Sequence, residues 1–170
     1  MPKAALFLDR DGVINVEKNY LYRREDFEFI DGIFDLCRYF QNKGYSIVVV
    51  TNQSGICRGY YSEEDFAKLT KWMEGEFAKE GIHIAKTYHC PHHPDFTGSC
   101  SCRKPKPGMF LQAKQELGID MENSVVVGDK QSDLEAAKRA GVKRGYLFDG
   151  EKIKNLQDII AIEESYVTAQ

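Results

Sequence analysis

Three short apolar runs in this 170-residue chain each end in oxygen-bearing side chains. Ala4–Leu8 leads into Asp9-Arg10-Asp11-Gly12, and Ile47–Val50 into Thr51-Asn52-Gln53-Ser54-Gly55. Val125–Val127 leads into Gly128-Asp129, with Asp133 four residues on. Asp9 and Asp11 are two apart, so both side chains fall on one side of an extended segment. One carboxylate can attack phosphorus and carry an acyl phosphate, while the other protonates the leaving oxygen and later activates water. Crowded carboxylates repel a phosphate, so the pattern calls for a divalent cation. Asp9 and Asp129 are its expected ligands, and an all-oxygen set points to magnesium, Mg²⁺. Thr51 can hydrogen-bond a phosphoryl oxygen, and Lys104, in Arg103-Lys104-Pro105, is the lysine best suited to complete the neutralisation. Gly12 lets the loop backbone approach the phosphate. Each piece alone is ordinary turn chemistry. The three together, in order and each at a strand end, read as a catalytic pair, Asp9 and Asp11.

A second cluster is Cys90-Pro-His92-His93 followed by Cys100-Ser-Cys102. The pattern C-x-H…C-x-C offers four ligands in one loop, Cys90, His92, Cys100 and Cys102, which suits tetrahedral zinc, Zn²⁺, in a closed structural site. A disulfide among the three cysteines, free thiols, or His93 or His89 in place of His92 are the alternatives. Cys37 reads as core and Cys57 has no evident partner. Arg103 and Lys104 follow Cys102 directly, so a metal-pinned loop would hold both over a phosphate.

These residues need a scaffold, and the pattern around them supplies one. Ala4–Leu8, Ser46–Val50, Ala85–His89, Ser124–Val127 and Gly145–Phe148 read as strands. Between them lie amphipathic stretches. Asp31 is the expected cap of a helix with Ile33, Leu36, Cys37 and Phe40 on one face, and Gly44 ends it. Ser62-Glu-Glu-Asp65 reads as a capping box before Phe66, Leu69, Met73 and Phe77. Pro107 suits the first turn of a helix with Phe110, Ala113 and Leu117 together, and Leu134–Ala140 is a further helix. After Gly150 a short helix and a frayed end are expected. Strands alternating with helices imply an α/β, Rossmann-like parallel sheet with helices on both faces. Ligands bind outside the carboxyl ends of such strands. The three chemical strand ends share one crevice only if their strands are neighbours, and the sequence leaves strand order open.

Composition is that of an ordinary globular domain, with 42% hydrophobic and 29% charged residues. The length suits a single domain spanning residues 1–170. The net charge of -3 and the lack of a basic, aromatic-rich stripe argue against a zinc-containing nucleic-acid-binding module. No apolar run is long enough for a membrane span or an export signal, so a cytoplasmic location without membrane partners is expected. A monomer is the expected state, though no motif bears on it.

The motifs Asp9-Arg-Asp11-Gly12-Val-Ile, Thr51-Asn-Gln-Ser-Gly, Arg103-Lys104-Pro and Gly128-Asp129-Lys130 resemble the four motifs of the haloacid dehalogenase superfamily of phosphatases. The resemblance runs from about Ala4 to Phe148. It implies Asp9 as nucleophile and Asp11 as general acid and base. It implies Mg²⁺ on Asp9, the Asp11 backbone carbonyl and Asp129, with Asp133 further out or a ligand itself. Thr51 and Lys104 would steady the phosphoryl group. The motifs are closely spaced, so no large cap domain is expected. The loop C-P-H-H-P…C-x-C-R-K-P, with Thr51-Asn-Gln-Ser-Gly-Ile-x-Arg58-Gly, is similar to the D-glycero-D-manno-heptose 1,7-bisphosphate phosphatase family and, more distantly, to histidinol-phosphate phosphatases. That resemblance implies a small phosphorylated sugar as substrate, losing its C7 phosphate. The implied contacts are Glu17, Lys18, Asn19, Tyr20, Thr51, Asn52, Gln53, Ser54, Arg103, Lys104 and Lys130. Histidinol phosphate as substrate, and transfer of the aspartyl phosphate to a sugar, are the competing readings.

Overall fold

The structure, a computed structural model, describes residues 2–168, and the frayed end expected at the last residues lies outside them. Five strands form one parallel sheet: β1 (Ala5–Leu8), β2 (Ser46–Asn52), β3 (Ile84–Cys90), β4 (Val125–Gly128) and β5 (Arg144–Leu147). Their spatial order is β3-β2-β1-β4-β5. β1 is therefore central, with β2 on one side and β4 on the other, and the order reverses there. In a doubly wound sheet such a switch point opens a crevice at the strands' carboxyl ends. The three strands that end in acids and hydroxyls are these three neighbours.

Alternation along the strands divides the core. Leu6, Leu8, Ile47, Val49, Val125 and Val127 point to one face, where α1 (Ile33–Asn42), α2 (Glu63–Lys79) and α6 (Leu156–Thr168) bury Leu36, Phe40, Met73, Phe77 and Ile159. Ala5, Phe7, Val48, Val50 and Val126 point to the other, against Met109, Phe110 and Ala113 of α4 (Gly108–Leu117) and Ala136 and Ala137 of α5 (Gln131–Arg139). Both faces of the sheet are thus covered, as parallel sheets require. Among the described residues the one remaining α-helix, α3 (Pro94–Thr97), is a single turn in the loop after β3, and a short 3-10 turn spans Arg24–Asp26.

The Ser62–Asp65 capping box forms as expected, with both reciprocal bonds at 3.0 Å. Four expectations need correction. Asp31 does not cap α1. The cap is Gly32, at φ 88°, where a side chain would be strained and would meet Gln157 of α6 at 2.6 Å. Leu117 is 37% exposed and does not share the buried face of Phe110 and Ala113. β2 runs two residues past its apolar stretch, because Thr51 and Asn52 pair with His89 and Cys90 of β3. α5 starts at Gln131, which brings Asp133 into its first turn, where its Oδ2 accepts from the Lys130 N–H at 3.1 Å.

Ser124 ties the amino end of β1 to the turn before β4. Its buried Oγ accepts from the Ala5 N–H at 2.8 Å and donates to the Asp120 carbonyl at 2.7 Å. Ser124→Ala leaves the Ala5 donor buried and unpaired, which costs about 1–3 kcal/mol. Urea unfolding should show a lower midpoint at unchanged slope; an unchanged midpoint would show that this hydrogen bond contributes nothing.

Candidate active site and metal centre

Asp9 directly follows β1, and its Oδ1 takes the Arg10 N–H at 2.9 Å and the Lys104 ammonium at 3.1 Å. Lys104 is 4% exposed, and its Nζ also reaches Asp133 Oδ1 at 2.6 Å and the Val50 carbonyl at 2.8 Å. One buried ammonium thus joins the ends of β1 and β2 and the first turn of α5. Its backbone is fixed from both sides by Asn52, whose Oδ1 accepts the Lys104 N–H at 3.1 Å and whose Nδ2 donates to the Lys104 carbonyl at 3.4 Å. Burial disfavours the Lys104 charge, but Asp9 and Asp133 more than offset this and raise its pKa.

Asp9, Asp129 and Asp133 bring one carboxylate oxygen each within 4.8 Å of one another. Burial pushes the Asp9 carboxyl well above the usual range; the Lys104 charge pulls it back, and Asp133, Asp129 and Asp11 push it further up. Asp129 is raised too, chiefly by burial. Its Oδ1 is buried with no hydrogen-bond partner. Three carboxylates against one ammonium, with an orphaned oxygen among them, suit a divalent cation. The backbone makes room: a Cβ on Gly12 would lie 2.2 Å from Asp129 Oδ2, and one on Gly128 would lie 2.3 Å from the Asp133 Cβ.

Asp11 is held differently. Its Oδ1 accepts from Asn15 Nδ2 at 2.9 Å and from Arg10 Nη2 at 3.1 Å, and its Oδ2 from Gln53 Nε2 at 3.0 Å. Gln53 also donates to Thr51 Oγ1 at 2.9 Å and accepts from the Tyr61 hydroxyl. Arg10, Asn15, Thr51 and Gln53 are all buried. Sequence reasoning missed Arg10, Asn15 and Tyr61 in this network. Polar Arg10 and Asn15 set among the apolar residues of Leu6–Val16 were the available signal.

Above these acids the cleft has two chambers. The inner, about 70 Å³, is lined by Asp9, Asp11, Lys104, Ser132 and Asp133; the outer, about 310 Å³, by Asn19, Tyr20, Gln53, Ser54, Arg58, Tyr61 and Arg103. Glu17, Asn52, Lys130 and Asp11 border both. Most of the expected substrate residues therefore meet at one opening. Asn19 and Tyr20 do so in left-handed backbone conformations, at φ 49° and 60°. Neither Lys18 nor Thr51 lines a chamber: the Lys18 amine turns to Glu28 at 3.4 Å, and Thr51 is buried beneath the cleft with its Oγ1 taking Gln53 Nε2.

The Cys/His loop is compact. Cys90 Sγ lies 3.7 Å from both His92 Nδ1 and Cys100 Sγ, and Cys102 Sγ lies 3.3 Å from His92 Nδ1 and 3.6 Å from Cys100 Sγ. No pair is a disulfide. Tetrahedral ligation with bonds of about 2.3 Å to sulfur sets the sulfurs about 3.8 Å apart, close to these distances. The alternative histidines are occupied elsewhere, His89 with Glu63 at 2.7 Å and His93 with the Asp95 N–H at 3.1 Å. Burial raises the Cys100 thiol, but N–H groups of Arg103 and Cys102 and the neighbouring thiols outweigh it and bring it down to about 6. Burial instead raises Cys90 and Cys102, so of the three thiols Cys100 alone is predisposed to the thiolate form that a metal binds. Arg103, next along the chain, donates from its backbone to Cys100 Sγ at 3.4 Å and from Nη1 to the His92 carbonyl at 3.2 Å.

Lys104→Met removes the ammonium from among buried carboxylates, so metal-free protein should lose about 3–5 kcal/mol at pH 7. The sign with pH follows from Asp9, whose folded pKa lies above its unfolded value of about 3.9. A group raised on folding supports stability at low pH and withdraws it as pH rises through the folded value. The variant's deficit in urea unfolding with EDTA should therefore shrink on acidification. A deficit constant with pH would mean that Lys104 acts through packing alone.

The haloacid dehalogenase-like hydrolase family model matches residues 3–141. A D-glycero-alpha-D-manno-heptose-1,7-bisphosphate 7-phosphatase of Campylobacter jejuni is 52% identical over 168 residues, 94% of this chain and 95% of that protein. A D-glycero-beta-D-manno-heptose-1,7-bisphosphate 7-phosphatase of Vibrio cholerae is 53% identical over 147 residues, 84% of this chain and 79% of that protein. Among solved structures, D,D-heptose 1,7-bisphosphate phosphatase from B. bronchiseptica, complexed with magnesium and phosphate, matches with a TM-score of 0.79 at 26% identity, covering 98% of this chain and 99% of that one. With its acids gathered at the switch point of a parallel sheet, the chain belongs to the haloacid dehalogenase-like hydrolase family, on its phosphatase branch.

Proposed function

We propose that this enzyme removes the C7 phosphate of D-glycero-D-manno-heptose 1,7-bisphosphate through an aspartyl phosphate on Asp9. The observation that carries the chemistry is Asp9 held by buried Lys104 at the inner end of the cleft, with Asp11 at its side. The substrate reading is supported by the relatives named for that reaction at 52% and 53% identity.

The Asp9 carboxylate attacks phosphorus, and the bond from phosphorus to the C7 oxygen breaks. Asp11 gives its proton to that oxygen as the sugar leaves. Asp11 then takes a proton from water, whose oxygen attacks phosphorus and releases inorganic phosphate, restoring Asp9. Lys104 balances charge on the phosphoryl oxygens, and Thr51 steadies them from the end of β2. Mg²⁺ fits Asp9 and Asp129, because the buried Asp129 Oδ1 needs a partner and the carboxylates outnumber the ammonium, and the family resemblance adds the Asp11 backbone carbonyl as a third ligand. When bound, the ion screens the carboxylates from the phosphate and polarises its oxygens. Asp133 spends one oxygen on Lys104 and the other on the Lys130 N–H, so its role is to hold the lysine. Glu17, Asn19, Tyr20, Asn52, Gln53, Ser54, Arg103 and Lys130 form the sugar-binding wall.

Zn²⁺ fits Cys90, His92, Cys100 and Cys102, with every ligand supplied by protein, and there it fixes the loop that presents Arg103 and Lys104. We take the chain as a single phosphatase domain acting as a cytoplasmic monomer. Among the described residues no helix is long and apolar enough to cross a membrane.

Asp9→Asn should lower turnover by roughly 10³-fold or more with an unchanged circular dichroism spectrum. Retained activity would end the covalent mechanism. In Mg²⁺-supplemented phosphate-release assays, heptose 1,7-bisphosphate in either anomer should be preferred over histidinol phosphate, and the reverse preference would overturn the sugar assignment. Stripping zinc and restoring Mg²⁺ should lower Tm and raise KM more than it lowers kcat. Full activity and Tm in zinc-free protein would contradict the structural metal.

A further inference from the structure

Six of the eight arginines in the chain have a carboxylate within ion-pairing distance. Among the described residues the other two, Arg58 and Arg103, make no ion pair, and both line the outer chamber of the cleft. Neither lines the inner chamber, where Asp9 and Lys104 stand. Two uncompensated guanidinium groups therefore face a space set apart from the reacting aspartate.

Arg58 is also held in an unusual way. Its Nε donates to Ser54 Oγ at 3.3 Å, and its guanidinium carbon lies 4.8 Å from the ring centre of Phe96 and 5.6 Å from that of Tyr20. Tyr20 comes from the loop after β1, and Phe96 from α3, in the loop that carries the Cys/His cluster. The two rings are 41% and 55% exposed, so core packing does not explain them. Ring contacts orient a guanidinium without neutralising it, whereas a carboxylate would consume its charge. A planar fork fixed in this way is preorganised for bidentate binding of an oxyanion. Its position in the outer chamber, and not the inner one, suits an anion on the non-reacting end of the substrate.

We propose that Arg58 is a specificity-determining residue: held between Tyr20 and Phe96, it receives a second phosphate, with Arg103 as the other cation, while the first phosphate sits at Asp9. The inference rests on the sugar-bisphosphate reading above and names the group that distinguishes a bisphosphate from a monophosphate. It also gives the Cys/His loop a second task, since the same loop delivers Phe96.

The test is the ratio of kcat/KM for heptose 1,7-bisphosphate to that for heptose 7-phosphate, in parent and Arg58→Gln enzymes. Loss of a charge-assisted bond should lower this ratio roughly 10- to 100-fold. Arg58→Lys, which keeps the charge without the planar fork, should retain part of it. An unchanged ratio in Arg58→Gln, with both rates intact or both reduced alike, would overturn the proposal. Turnover of neither heptose ester by the parent enzyme would instead refute the heptose assignment. Arg58 is then judged by equilibrium titration with fructose 1,6-bisphosphate and fructose 6-phosphate. Weakening of the bisphosphate relative to the monophosphate in Arg58→Gln supports the second-phosphate role, and equal affinities in both proteins refute it.

Discussion

A single buried ammonium organises this site. Lys104 is nearly sealed from solvent, and an isolated charge there would be several kcal/mol unfavourable. Asp9, Asp133 and the Val50 carbonyl offset that cost, and each belongs to a different part of the fold. The consequence reaches outward. The Lys104 backbone enters from the β3 side of β2, where Asn52 clasps it, and holding the preceding loop is the task we propose for the Cys90–Cys102 cluster with zinc bound. The sheet order serves this contact, because with β1 between β2 and β4 one lysine reaches the Val50 carbonyl, Asp9 and Asp133 together.

The two aspartates of the Asp9-Arg10-Asp11 segment are kept apart by different environments. Asp9 shares its surroundings with other carboxylates and one lysine, a setting short of positive charge that suits a divalent cation and a phosphate with it. Asp11 is gripped by neutral and cationic donors from Asn15, Gln53 and Arg10, and Tyr61 fixes Gln53 in turn. One acid is thereby placed among charges and the other is oriented by hydrogen bonds. That division matches a nucleophile and a proton carrier.

Much of this was legible in the sequence because each chemical residue sits at the end of an apolar strand, where local pattern and function coincide. Asp9, Thr51 and Asp129 are found that way, and the four clustered residues of the Cys/His loop by spacing. What stayed hidden depends on contacts distant along the chain. The pairing of Lys104 with Asp133 joins distant parts of the chain, and Asp133 precedes the apolar periodicity of its helix because α5 begins with the polar residues Gln131 and Ser132. Asp31 looked like a cap, but the need for a positive φ against Gln157 selects Gly32. Lys18 shares a loop with Glu17, Asn19 and Tyr20, yet Glu28 draws its amine away from the cleft. Arg58 gave no signal beyond its motif, since its meaning lies in what it fails to pair with and in two rings from separate loops.

The central claim is that Asp9, held by Lys104, becomes phosphorylated. Rapid acid quench of the Mg²⁺-loaded enzyme with substrate labelled at the C7 phosphate tests it directly. The account predicts label on the peptide containing Asp9, appearing within the first turnover and released by hydroxylamine as an acyl phosphate should be. Phosphate release without labelled protein at any quench time, or label on a residue other than Asp9, would contradict it.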